Sequence, residues 1–125
     1  MPKVLLLQFD SDPARAERRT NLASTGMTVV EAEPRWPTFF DVVTAQRPDV
    51  IVIAASTIPS HAFEAARYLG DGFNTRNIPV LLVDVNPKDY NRAQTSAPQA
   101  KIVERSVLAD AVRESLQPKA STNSG

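Results

Sequence analysis

The stretch Asp49-Val50-Ile51-Val52-Ile53-Ala54-Ala55-Ser56 contains an unbroken apolar run, residues 50–55, and is entered through Arg47-Pro48 and left through Thr57-Ile58-Pro59. No polar residue alternates with the apolar ones, which is typical of a parallel strand buried on both faces. We therefore expect this stretch to be the central strand of a parallel sheet. Ligands and chemistry in such sheets lie beyond the carboxyl ends of the central strands. Positions 54–57 offer only Ala, Ala, Ser and Thr there, so the fold is easier to predict than the function.

Composition restricts the classes of function. The chain has 125 residues, enough for one domain, and 14 basic side chains balance 14 acidic ones, so nothing favours nucleic acid or an anionic membrane as a partner. Cysteine is absent, which removes disulfides and thiolate chemistry and suits a reducing compartment. The first apolar run, residues 4–9, is too short for a signal peptide or a membrane span. We therefore expect a cytoplasmic protein.

Apolar runs alternate with helical patterns along the chain, and this alternation predicts five strands and five helices in one domain, residues 1–116, followed by a disordered polar tail, residues 117–125. The expected strands cover residues 4–9, 27–32, 49–56, 78–85 and 101–103. The expected helices run from 13 to about 24, through the stripe Trp36, Phe39, Phe40 and Val43, and over 61–69, 90–95 and 107–116. Right-handed crossovers would place helices on both faces of a parallel sheet.

Local signals predict where the helices begin and which faces are buried. Asp12 is a candidate N-cap of the first helix, with Pro13 at the first helical position, and Ser60 is a candidate cap of the third. Gly26 is expected to end the first helix in a left-handed conformation. That helix is expected to bury a face of small residues, Ala16, Thr20 and Ala23, while Arg15, Arg18 and Arg19 point elsewhere.

Three stretches of the chain resemble the receiver domains of bacterial response regulators. They are residues 5–13, with Asp10-Ser11-Asp12 after the first strand, residues 47–54, and residues 78–84, ending in Asp84. With the closing helix, the resemblance covers residues 3–116. It implies an α/β, flavodoxin-like, three-layer sandwich whose five-stranded parallel sheet has the order 2-1-3-4-5.

The resemblance also implies a site, and this sequence departs from that site. A receiver has a phosphoacceptor aspartate at the end of the third strand, and the matching position is Ala54. The acidic pair after the first strand becomes Asp10-Ser11, which leaves Asp10 as the one candidate ligand for Mg²⁺. The hydroxyl after the fourth strand becomes Asp84, and the lysine after the fifth becomes Glu104. The resemblance therefore implies a degenerate pocket, a pseudo-receiver formed by Asp10, Ser11, Asp12, Ala54, Ser56, Asp84 and Glu104.

The same positions could also form a cation site or supply a hydroxyl phosphoacceptor. Asp10, Asp84 and Glu104 could gather at one sheet edge as a cation site or raise one another's pKa, or they could be solvated loop carboxylates partly neutralised by Arg105 or Lys88. Ser56 or Thr57 could replace the phosphoacceptor, but the nearest base would be His61, for which capping or exposure is the simpler interpretation. No phosphate loop, paired-histidine motif or nucleophile elbow is present.

We therefore expect a protein that is not an enzyme and binds no cofactor, a signalling module of two-component type that works through contact with another signalling protein or a second copy. The first alternative is a phosphorelay receiver with an unusual acceptor, Asp10, Asp12 or Ser56. The second is a flavodoxin-like domain that binds a small ligand at the carboxyl edge of its sheet. An aspartate placed at Ala54 is expected to join Asp10 and Asp84 in a destabilising acidic cluster that Mg²⁺ relieves and that is still not phosphorylated.

Overall fold

The strands and helices alternate along the chain as the sequence predicts. The structure is a computed structural model that describes residues 2–35 and 37–116. The strands are β1 (Lys3–Leu7), β2 (Thr28–Ala32), β3 (Val50–Ala54), β4 (Val80–Val83) and β5 (Lys101–Val103). The helices are α1 (Arg15–Ala23), α2 (Thr38–Gln46), α3 (Pro59–Asp71), α4 (Tyr90–Ser96) and α5 (Leu108–Ser115), and short 3₁₀ turns at Pro87–Asp89 and Arg105–Val107 precede α4 and α5. The expected position of Trp36 and the expected polar tail lie outside the described residues.

The sheet is parallel throughout, and its strand order is β2-β1-β3-β4-β5. This confirms the predicted order 2-1-3-4-5. The central strand β3 is paired on both sides, with β1 and with β4, and every one of its residues is buried. Such full burial explains why no polar residue interrupts the sequence of β3.

Alternate residues of the strands supply two separate cores, one on each face of the sheet. Ile51 and Ile53 of β3 pack with the buried faces of α2, α3 and α4, whereas Val50 and Val52 pack with α1 and α5. Each fully buried valine or isoleucine side chain stabilises the fold by roughly 2 kcal/mol. The result is the expected three-layer sandwich, in which the carboxyl ends of β1, β3 and β4 meet at one edge.

Helix α1 is oriented differently from the prediction. Ala16, Thr20 and Ala23, expected to face the sheet, are exposed, whereas Arg18 and Leu22 are buried. Arg18 and Leu22 are four residues apart and share one helical face. The prediction failed because it assigned every arginine to solvent, and Arg18 instead finds polar partners inside the protein.

Several predicted helix starts and strand ends also need correction. Helix α1 begins at Arg15, so Asp12 is not its N-cap, although its carboxylate accepts a hydrogen bond from the amide of Ala14 in the turn just before the helix. Helix α3 begins at Pro59, so Ser60 lies inside it and does not cap it. Strand β4 is shorter than expected, because Pro79 has no N–H to donate and Asp84 has a left-handed backbone, with φ of 61°. Gly26, with φ of 81°, has the predicted left-handed conformation.

The other predicted faces agree with the structure. Phe39 and Val43 of the predicted α2 stripe are buried, with Phe40 partly buried, and α3 buries Ala62, Phe63, Ala66 and Leu69. No helix within residues 2–35 and 37–116 has the length and apolarity that crossing a membrane requires.

The orientation of α1 can be tested by two substitutions on opposite faces. Thr20→Lys is expected to change the free energy of unfolding by no more than about 0.5 kcal/mol, because the side chain is exposed. Leu22→Ala is expected to cost about 2 to 5 kcal/mol, because it leaves a cavity in the core beside α5. Urea unfolding followed by circular dichroism measures both. A large loss with Thr20→Lys would mean that α1 is rotated from the position described.

Candidate functional site

A buried arginine lies at the carboxyl edge of the sheet. Arg18 of α1 has an exposed fraction of 0%, and it is the largest fully buried side chain in the described part of the chain. An unpaired charge in such a place would cost many kcal/mol, so the structure must supply partners for the guanidinium group. Those partners come from three loops at this edge, the ones that follow β1, β3 and β4.

Each nitrogen of the Arg18 guanidinium has an acceptor. Nε donates to Oδ2 of Asp84 at 2.7 Å, and Nη2 donates to Oγ of Ser56 at 2.6 Å. Nη1 donates to Oε1 of Gln8 at 3.0 Å and lies 3.1 Å from Oδ2 of Asp12. The planar, forked geometry of a guanidinium suits this arrangement, in which one cation joins residues after β1, β3 and β4 to α1.

Asp12 is the most strongly bound carboxylate of this cluster. Its Oδ2 accepts hydrogen bonds from the hydroxyls of Ser56, at 2.6 Å, and Thr57, at 2.7 Å, while Oδ1 accepts from the amide of Ala14 at 2.9 Å. Burial alone would raise the pKa of Asp12, but the hydrogen bonds from Ser56, Thr57, Ala14 and Arg18 outweigh it and hold this pKa well below its usual range. The carboxylate therefore stays ionised at every physiological pH.

Asp84 receives a second arginine. Nε of Arg105 lies 3.1 Å from both carboxylate oxygens of Asp84, and Nη1 donates to Oε1 of Glu17 on α1 at 2.9 Å. The hydrogen bond to Asp84 raises the pKa of Arg105. Aspartate tolerates the left-handed backbone found at position 84 better than most residues do. We call Gln8, Asp12, Arg18, Ser56, Thr57, Asp84 and Arg105 the Arg18 network.

The structure brings together only some of the residues of the predicted pocket. Asp12, Ser56 and Asp84 join the Arg18 network, and Ala54 is buried at the end of β3, two residues before Ser56. Asp10 lies outside, with 82% of its side chain exposed and its Oδ1 3.7 Å from Nε of Arg15. Ser11 and Glu104 are also exposed. Asp10, Asp84 and Glu104 therefore do not form a three-carboxylate cation site.

The charges at this edge agree with one of the two alternatives, because Arg105 neutralises Asp84. Arg18, which the sequence pattern assigned to solvent, pairs with Asp84 as well. In the described part of the chain, no group of three or more His, Cys, Asp or Glu side chains is arranged to hold a metal ion. His61 neither caps α3 nor stands free, since its ring packs edge-to-face on Phe9 with centroids 5.7 Å apart.

An open cavity of about 420 Å³ lies beside the Arg18 network, between the ends of β1 and β2. Its charged lining residues already contact one another: Arg15 lies near Asp10 and Glu31, and Nε of Arg35 donates to Glu33 at 2.8 Å. The hydrogen bonds from the amide of Asp10 and from Arg35 lower the pKa of Glu33. The carboxylates of this cavity are therefore balanced by neighbouring guanidinium groups.

Removing the buried cation should be costly. We expect Arg18→Met to lower the free energy of unfolding by about 3 kcal/mol, because Asp12 and Asp84 lose a shared cation. The matched control is Arg19→Met in the same helix, where an exposed arginine pairs with Glu31 at 3.0 Å and the loss should stay below about 1 kcal/mol. Equal losses in urea unfolding would argue against the burial of Arg18.

The depressed pKa of Asp12 predicts an acid-dependent stability. An unfolded aspartate has a pKa of about 3.9, so as the pH falls the unfolded chain binds the proton first. The stability that this carboxylate contributes is complete above about pH 5 and is lost progressively below it. Asp12→Asn lacks the titrating group, so its free energy of unfolding should fall less steeply from pH 5 to pH 3. Parallel curves for the two proteins would contradict the hydrogen bonds described.

Comparison with known proteins gives a fold and no closer relationship. No protein-family model matches the chain, and no curated protein matches it. Solved structures do resemble it. The signal receiver domain of a histidine kinase from Syntrophus aciditrophicus is 23% identical, with a TM-score of 0.72 over 93% of this chain and 90% of that one.

Two further solved structures are similar in the same way. The receiver domain of a sensor histidine kinase from Pseudomonas aeruginosa PAO1, with a magnesium ion in its active-site cleft, is 16% identical, with a TM-score of 0.73 over 92% and 97% of the two chains. A response regulator receiver domain from Bermanella marisrubri is 16% identical, with a TM-score of 0.71 over 92% and 98%. Strand order and these likenesses agree: this chain has the fold of the receiver domains of two-component signalling proteins.

Proposed function

We propose that this chain is a pseudo-receiver, a signalling module of two-component type that takes up no phosphoryl group and acts by binding another protein. The observation that carries the proposal is the Arg18 guanidinium, which is fully buried at the carboxyl edge of the sheet near the end of β3. Phosphoryl transfer in a receiver requires a nucleophilic carboxylate and a metal ion at this edge. Ala54 offers a methyl group in place of the first.

The Arg18 network also competes with the second requirement. A magnesium ion prefers carboxylate oxygens, and the buried carboxylate of Asp12 and the partly buried one of Asp84 are both paired with Arg18. A divalent cation could bind them only by displacing a guanidinium group or by facing its charge at short range. The chain therefore supplies its own cation where a receiver would use a dissociable one.

The alternative acceptors are weakly suited to phosphorylation. The hydroxyl of Ser56 donates to Asp12 and accepts from Arg18, but a carboxylate with so low a pKa is a poor general base. The oxygens of Asp12 are themselves engaged by four donors. Asp10 is largely exposed, and the guanidinium group beside it, that of Arg15, is shared with Glu31.

A receiver fold whose cleft holds Ala54 and the Arg18 network leaves the surface of the domain as the part that can act. The helices on both faces present exposed residues to possible partners, and α1 adds the exposed residues Ala16, Thr20 and Ala23. We propose a cytoplasmic signalling protein or a second copy of the chain as the partner. Recovery of neither a partner nor a dimer by crosslinking in the cells that make the protein would remove this part of the proposal.

Phosphorylation can be tested directly with acetyl phosphate and Mg²⁺, followed by intact mass spectrometry. We expect the mass of the wild-type chain to stay unchanged, while a receiver domain with a phosphoacceptor aspartate, treated in parallel, gains a phosphoryl group. The Ala54→Asp variant should also remain unlabelled, because Asp12 and Asp84 stay paired with Arg18. A phosphoryl group on the wild type that is lost on substituting Asp10, Asp12 or Ser56 by Ala would support the phosphorelay alternative instead.

A further inference from the structure

Three arginines stand out because they form no ion pair with a carboxylate in the described part of the chain. They are Arg47, Arg67 and Arg76, and all three are exposed. The other seven, by contrast, each lie within 4 Å of a carboxylate oxygen. Arg47 ends α2 in a left-handed conformation, with φ of 48°, and Arg76 lies in the loop between α3 and β4. Both lie at the amino edge of the sheet, opposite the Arg18 network.

A large exposed aromatic side chain lies in the same loop as Arg76. Phe73 is 79% exposed, the highest value among the large apolar residues of the described chain, and the guanidinium of Arg76 lies 5.3 Å from its ring centroid. The loop is not loose, because buried Thr75 donates through its hydroxyl to the carbonyl of Leu69 at 2.6 Å, and the amide of Arg76 donates to Gly72 at 2.9 Å. Phe73 is thus presented to solvent on an ordered turn.

A groove of about 470 Å³ adjoins this turn, between the end of α2 and the loop before β4. Val43, Pro48 and Ile78 give it an apolar lining, and Arg47 is the ionisable residue in its wall. An apolar side chain from a partner could enter the groove while Phe73 packs beside it. Buried apolar or aromatic anchors of this kind, ringed by polar groups, supply most of the affinity of protein interfaces.

We propose that Phe73, Arg47, Arg76 and the adjoining groove, here called the Phe73 surface, bind an acidic segment of a partner protein that carries an apolar side chain. This inference rests on the proposed function, since it names the surface through which the module binds. The guanidinium groups of Arg47 and Arg76 have no carboxylate partner in the described part of the chain, so they favour carboxylates on the bound segment. The apolar lining of the groove favours an apolar side chain on the same segment. Two cations on a chain of zero net charge are too few for the many phosphate contacts of nucleic acid.

The test is site-specific photo-crosslinking in the cells that make the protein, with p-benzoylphenylalanine in place of Phe73. A second protein carries the same group in place of Val107, which is 47% exposed at the start of α5. We expect a crosslink at position 73 to a peptide that mass spectrometry identifies as acidic with an apolar residue. The yield should fall about tenfold in the Arg47→Asp/Arg76→Asp variant. Aspartate tolerates the left-handed backbone at position 47, and thermal unfolding confirms that the variant folds.

Arg67→Asp is the matched control, because Arg67 is also exposed and unpaired but stands over Tyr68 on α3, 5.5 Å from its ring centroid, and does not line the groove. Its yield should stay within about twofold of wild type. A crosslink at 73 to nucleic acid, to a second copy or to a basic segment would overturn the inference, as would an equal loss with Arg67→Asp. Crosslinks at 107 alone, or at neither position, would overturn the inference and leave the proposed function in place, because that function is tested separately by phosphorylation and by the recovery of any partner.

Discussion

A single buried guanidinium group organises the functional end of this domain. Taking the charge of Arg18 out of water is expensive, and the fold recovers that cost only because three loops, after β1, β3 and β4, deliver acceptors to the same point. Helix α1 has one large buried apolar side chain, Leu22, so its position against the sheet depends on Arg18 as well as on apolar packing. The hydrogen bonds that Arg18 donates to these loops also hold the loops in position.

The network also satisfies a charge requirement that the fold itself creates. The cleft at the carboxyl edge of a parallel sheet collects polar groups from several loops, and those groups need an opposite charge whatever the function of the domain. In the magnesium-bound receiver domain from Pseudomonas aeruginosa, a metal ion occupies the active-site cleft. In this chain Arg18 pairs with Asp12 and Asp84 at this edge, and Arg105 links Asp84 to Glu17 on α1.

The parts of the structure that the sequence predicted well are those set by local pattern. The apolar runs of β1, β3 and β4 could hardly be placed other than in the centre of a sheet, and Lys101–Val103 was predicted without error. The sequence of Asp12-Pro13 predicted only a local role for Asp12 at the start of a helix. Its hydrogen bonds with Ser56 and Thr57 could not be predicted in this way, because those residues are 44 and 45 positions away. Arg18 did leave one signal, its position four residues before Leu22, the single large apolar residue of that helix.

A cation that is part of the polypeptide has no dissociation equilibrium of its own. Its effective concentration beside Asp12 and Asp84 is set by the fold, and it leaves only when α1 separates from the sheet. A metal-dependent cleft changes its charge with the supply of free ions and with chelators, whereas this cleft holds the same charge for as long as the domain is folded. In the folded domain Arg18 therefore stays beside Asp12 and Asp84 whatever the concentration of ions in solution.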